Sequence, residues 1–248
     1  MSRYFDLMQQ AGVGEAALTG RPTLSAEPST ATAEIESQSG EAVLAGGEIL
    51  DLVQRIFLVP AENGPRVVVF AGADGEGDAS QVSGSVAETL ASVSKRPVCL
   101  VEANFRSPKL PNAFGSANRR GLVDALASEE PIANYCRPMG RENLWLLPCG
   151  AVDADSPSLI TPDTLKSRFT ELRDAFEFII VNGAPIGRYA ETLILGRMAD
   201  GVALVMESGS TRREEAATTI ANLRALNIPI VAGVLNKTKS SIFKKLFR

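Results

Sequence analysis

The chain has 248 residues, 45% hydrophobic and 22% charged, with a net charge of −4 and no histidine. That length supports one sizeable core, the acidic balance argues against nucleic acid as a partner, and the missing imidazole removes histidine-based catalysis and the usual histidine metal ligands. Three cysteines, Cys99, Cys136 and Cys149, are odd in number and have no metal-ligand spacing, so they read as small buried hydrophobes in a reducing cytoplasm.

Residues 1–17 carry Phe5, Leu7, Met8 and Ala11 at helix-compatible spacing, interrupted by Gly12 and Gly14, and are expected to form a short docking segment. No signal-peptide core is visible there, and no apolar run approaches a membrane span. Residues 18–47 are rich in Ser, Thr, Ala, Glu and Gly, too poor in apolar side chains to offset ordering entropy, and read as a linker. Residues 48–236 then alternate helical patterns with short apolar runs. A helix over 48–57 shows one apolar face of Ile49, Leu50, Val53, Ile56 and Phe57. Strands are predicted over 66–71, 98–101, 144–147, 178–181, 202–206 and 228–234. Runs apolar on both faces and separated by helices predict an α/β fold, a doubly wound, mainly parallel sheet covered by helices. Thr161 before Pro162 predicts the cap of a helix running to Ala175, and Thr211 the cap of one ending near Leu226.

The chemistry-bearing stretch follows the first strand. Ala73-Asp74-Gly75-Glu76-Gly77-Asp78-Ala79-Ser80 has the glycines of a phosphate-binding loop. Asp78 and Ala79, however, stand where such a loop places lysine and a metal-binding hydroxyl. A unit charge about 4 Å from another is worth roughly 4 kcal/mol at an effective dielectric near 20, and exchanging attraction for repulsion about doubles the cost against a triphosphate. The acids Asp74, Glu76 and Asp78 fit a solvated loop or a docking site for a basic segment. They also fit the opening of a calcium loop that has lost its glycine to Ala79 and its last glutamate to Ser85.

Five segments in order resemble the bacterial tyrosine kinases of capsule and exopolysaccharide synthesis, within the ParA/MinD class of P-loop proteins. They are Gly75-Glu76-Gly77; Val101-Glu102-Ala103-Asn104-Phe105-Arg106-Ser107-Pro108; Phe114-Gly115; Ile180-Val181-Asn182-Gly183-Ala184-Pro185; and Ala199-Asp200-Gly201 with Gly233-Val234-Leu235-Asn236. The resemblance implies a P-loop NTPase fold and a nucleotide site drawing on Gly75, Gly77, Asp78, Ala79, Ser80, Arg106 and Asn236. Asn236 is placed near the adenine base by the resemblance, while its position at a strand end also suits a structural role. Against the family pattern, Glu102 and Asn104 replace two aspartates, Asn182 replaces the aspartate of the next acidic strand, and Pro111 replaces a histidine. Glu48, Asp51 and Gln54 occupy the Glu, Arg and Arg positions of the family's oligomerisation helix, and the clustered C-terminal tyrosines are absent. Ser80 is the one hydroxyl left near the lost Ser/Thr position.

The resemblance together with these departures implies a catalytically impaired relative acting as regulator or scaffold, with no competent catalytic residue, no resident metal, and ATP or ADP with Mg²⁺ as weak ligands at most. The partners it implies are a membrane chain-length-determinant (polysaccharide co-polymerase) protein or an active kinase of the same family, and a homodimer is compatible with it. The alternatives are an atypical ATPase or tyrosine kinase completed in trans by a membrane partner, and a MinD-like positioning protein. The tail, 237–248, carries Lys237, Lys239, Lys244, Lys245 and Arg248 with no acid, and Ile242, Phe243, Leu246 and Phe247 share one helical face. It resembles the membrane-targeting tail of MinD proteins and fits a basic amphipathic helix on anionic lipid, with Lys244 and Lys245 at the headgroups, or a terminal helix packed on the domain. The expected location is cytoplasmic, peripheral at the inner face of the plasma membrane.

Overall fold

A computed structural model describes residues 46–59, 64–74, 79–152 and 156–237. The docking segment, all but the last two linker residues, the glycine-loop residues 75–78 and the tail from 238 onward lie outside the described residues. Seven strands form one sheet in the order β3-β4-β2-β5-β1-β6-β7. They are β1 Val67–Gly72, β2 Val98–Ala103, β3 Arg137–Pro138, β4 Leu144–Leu147, β5 Phe178–Gly183, β6 Gly201–Glu207 and β7 Ile230–Asn236. All neighbours pair in parallel except β3 with β4.

The alternation of side chains along each strand divides the core into two. Val68, Phe70, Leu100 and Ile180 face one side, against α1 (Gly46–Val53) and α2 (Ser80–Ser94). Val67, Val69, Val101 and Val181 face the other, against α6 (Pro162–Ala175), α7 (Glu191–Met198) and α8 (Arg213–Ala225). Shorter helical turns, α3 Leu110–Ala113, α4 Leu122–Leu126 and α5 Ser156–Leu159, line the connections. Burial of β1, β2 and β5 on both faces is what their unbroken apolar runs require.

The expected doubly wound sheet is present, with local differences. The first helix starts at Gly46, two residues before the expected boundary, and its last turn, Gln54–Leu58, widens to π-type geometry. The strand expected over 228–234 is displaced to Ile230–Asn236, because Ile228 instead donates its N–H to the Leu223 carbonyl at the end of α8. Thr161 caps α6 by accepting from the Thr164 N–H at 3.3 Å. Thr211 does not cap α8: its hydroxyl accepts from the Glu207 N–H at 2.9 Å and closes the turn after β6, leaving Arg212 at the cap position. The two-residue antiparallel strand β3 carries too few residues for its period to be read in sequence.

At the amino end of β1, Asp200 joins three elements. Its carboxylate accepts from the N–H groups of Arg66 and Val67 at 2.7 and 2.8 Å and pairs with Arg173 of α6 at 2.8 Å. Arg66 donates in turn to the carbonyls of Arg173, Phe176 and Glu177. Burial works to raise the Asp200 carboxyl, but Arg173 and the two N–H donors outweigh it and hold it below the ordinary carboxylate range.

Candidate functional site

The carboxyl ends of β1, β2 and β5 meet where open parallel sheets bind ligands. Strand register places Asn182 of β5 directly between Glu102 of β2 and Phe70 of β1. Ala79 and Ser80, at the start of α2, are both buried, so the helix that follows the glycine loop is seated on the core. Gly183 allows close packing beside Asn182: a Cβ there would lie 2.8 Å from the Thr192 methyl.

Glu102 is fully buried and its carboxylate is surrounded by donors. Oε1 accepts from the Asn104 N–H at 3.1 Å and from Asn182 Nδ2 at 2.8 Å, and Oε2 accepts from the Lys109 and Leu110 N–H groups at 2.8 and 2.9 Å. Burial pushes the Glu102 carboxyl up from its ordinary value, and these four donors pull against that rise without cancelling it. The extra methylene of glutamate carries the carboxylate to the N–H groups that open α3. Because a carboxylate only accepts, the bond to Glu102 also fixes the orientation of the Asn182 amide. Its Oδ1 is then left buried with no hydrogen-bond partner.

Asn104 is used locally, its Oδ1 accepting from the Arg106 and Ser107 N–H groups at 3.2 and 3.1 Å and folding the strand exit into a turn. Arg106 pairs with Glu191 at the start of α7, and its guanidinium lies 5.0 Å over the Tyr189 ring. Pro111 is buried within α3. Between α2 and the 108–114 stretch lies an open cleft of about 510 Å³, lined by Ser80, Gly84, Glu88, Lys109 and Phe114 among others. The Cys149 thiol is pushed up to about 12 by burial, with Glu102 and Asp124 adding to the rise, which makes it a poor nucleophile at neutral pH.

Glu102, Asn104 and Asn182 thus come together at one strand end, with Ala79 and Ser80 beginning the helix beside them. Asn236 does not join this cluster. It sits at the end of β7, three strands away from β5, 3% exposed, with a buried Oδ1 that lacks a partner. Gly75, Gly77 and Asp78 lie outside the described residues, as do Ile242, Phe243, Lys244, Lys245, Leu246 and Phe247. Sequence reasoning missed the backbone donors of Lys109 and Leu110 and the Glu191 and Tyr189 partners of Arg106. The donors have no side-chain signature, and the partners are brought in only by the fold.

No protein-family model matches the chain. The tyrosine-protein kinase YwqD of Bacillus subtilis (strain 168) is 27% identical over 175 residues, covering 71% of this chain and 73% of YwqD. The succinoglycan biosynthesis transport protein ExoP of Rhizobium meliloti (strain 1021) is 26% identical over 176 residues, covering 70% of this chain and 22% of ExoP. This chain is similar to the bacterial tyrosine kinases. Among solved structures, the chimerical protein CapA2B2 superposes with a TM-score of 0.72 at 16% identity, over 95% of this chain and 99% of that one. The kinase domain of the Escherichia coli tyrosine kinase ETK gives 0.70 at 19% identity, over 90% and 86%. MinD complexed with Mg-ADP from Pyrococcus horikoshii OT3 gives 0.59 at 19% identity, over 68% and 69%. These likenesses establish the ParA/MinD-type P-loop fold, while the matched stretch spans most of YwqD and under a quarter of ExoP.

Proposed function

We propose that this bacterial tyrosine kinase relative is catalytically impaired and acts as a regulator or scaffold in exopolysaccharide or capsule synthesis and export. The observation that carries the reading is the donor shell of Glu102. A metal-side carboxylate needs free oxygens, whereas both oxygens here are taken by four N–H donors from within the chain. Asn182 contributes no charge and turns its Nδ2 toward Glu102, and Ala79 has no hydroxyl to offer. The residues present therefore do not fit a resident Mg²⁺, and the site's geometry is kept by hydrogen bonds in its place. In this reading the folded surface binds a membrane chain-length-determinant protein or an active kinase, and the tail places the protein peripherally on the inner face of the plasma membrane.

Incubation of the purified chain with ATP–Mg²⁺ tests the reading, with phosphotyrosine as readout. None is expected. Phosphotyrosine on the wild-type chain that disappears in Gly77→Arg overturns it. One observation favours a second reading, an ATPase or kinase completed in trans: the unpartnered Oδ1 of Asn182 is a buried acceptor that a donor from a partner would satisfy.

A further inference from the structure

The two edges of the sheet are unequal. β3 is two residues long and ends in Pro138, which has no N–H to offer an incoming strand. β7, at the other edge, is seven residues long, Ile230-Val231-Ala232-Gly233-Val234-Leu235-Asn236, and contains neither proline nor charge. Among the described residues it pairs only with β6. An edge of that length and composition is a template for a further strand, and natural sheets block or cover such edges. Beside it, between β7 and α1, runs an open cleft of about 420 Å³ lined by Glu48, Asp51 and Arg55 on the helix and by Val231, Gly233 and Leu235 on the strand. Leu235 is 49% exposed.

We propose that in free solution the C-terminal segment, residues 241–247, covers this edge as an eighth strand antiparallel to β7. Three observations point to that occupant. Lys237, the residue after β7, has a left-handed backbone (φ 53°) and is tied to Glu207 at the end of β6 at 2.6 Å, so the chain leaves β7 already turning from a fixed point. Hairpin loops take about two to five residues, and after four, 237–240, the seven residues 241–247 match the seven of β7. The segment also carries what β7 lacks. Extended, it places Lys244 and Lys245 mid-strand on opposite faces, the device that blocks further strand addition, and brings basic charge to a cleft wall whose acids, Glu48 and Asp51, outnumber its one cation, Arg55, which pairs with Asp51 at 2.8 Å. Ile242 with Leu246, and Phe243 with Phe247, flank the lysines on their respective faces and supply apolar contact. The inference goes beyond the scaffold reading and does not depend on it.

Hydrogen exchange across residues 230–236 tests the pairing in three chains: the full chain, the chain shortened after Lys237, and the full chain with Lys244→Pro and Leu246→Pro. The β7 amides are expected to exchange at least tenfold faster in the two altered chains, with the amides of β1 unchanged as the internal control for folding. Protection of β7 in the full chain is expected to be independent of protein concentration. Equal β7 exchange in all three chains overturns the proposal. So does protection that fades on dilution while light scattering reports a dimer dissociating, which assigns the edge to a second copy. Protection that appears only with phosphatidylserine-containing vesicles also overturns it and leaves the segment to the membrane.

Discussion

Asn182 and Glu102 act as one hydrogen-bonded unit, and this sets the outcome of changing either alone. Asn182→Asp brings a second carboxylate to 2.8 Å from the first with no donor between them, so one proton must be shared and one carboxyl is driven far up. The folded state then binds more protons than the unfolded chain above the ordinary carboxylate pKa, so stability falls as pH rises. Denaturant unfolding is expected to show Asn182→Asp about 3 kcal/mol less stable than wild type at pH 8, with a smaller deficit at pH 5. Glu102→Gln removes a buried charge but offers one amide oxygen to four N–H donors. A loss of roughly 2 to 4 kcal/mol is expected, and a gain in stability would show that desolvation dominates the site. The altered residues were legible in sequence because each departs from a family position. Their pairing was not, since it depends on the fold bringing positions 80 apart in sequence, one on β2 and one on β5, into register.

At the element scale, strand and helix types were readable because short unbroken apolar runs and a proline-started helix are local signals. The differences fall where a tertiary contact decides, as with Thr211, whose hydroxyl serves the β6 turn and not the helix. The Asp200 junction is such a contact, holding the start of β1 to the end of α6. Asp200→Asn is expected to cost about 1 to 2 kcal/mol at pH 7, since the pair is partly exposed and screened. Its carboxyl is lowered in the folded state, so the stabilisation is complete above the unfolded value and is lost as pH falls through the folded one. The wild-type advantage over Asp200→Asn should therefore hold at pH 6 and shrink below about pH 4 in parallel urea titrations. A difference that stays constant down to pH 2 would assign the effect to packing.

For the whole molecule, the parallel sheet was legible because its strands are apolar on both faces, and the P-loop class because five ordered segments resembled one family. In the sequence, the loop-shaping positions that match the family, Gly75, Gly77, Arg106, Pro108, Phe114 and Pro185, already favour a folded pseudoenzyme over a decaying sequence. The donor shell of Glu102 supports a rebuilt site over a decayed one, because each of the three altered acidic-motif residues has a partner or a turn to make: Glu102 with four donors, Asn104 with two, and Asn182, through its Nδ2, with Glu102. On the reading proposed above, function at this scale rests on surface and not on turnover. Isothermal titration of the wild-type chain with ATP–Mg²⁺, beside the chain carrying Asp78→Lys, Ala79→Ser, Asn104→Asp and Asn182→Asp together, tests that most directly. No binding in the micromolar range by wild type, with measurable affinity gained only when the four changes are combined, is the predicted result. Micromolar, magnesium-dependent binding of ATP by the wild-type chain would contradict it.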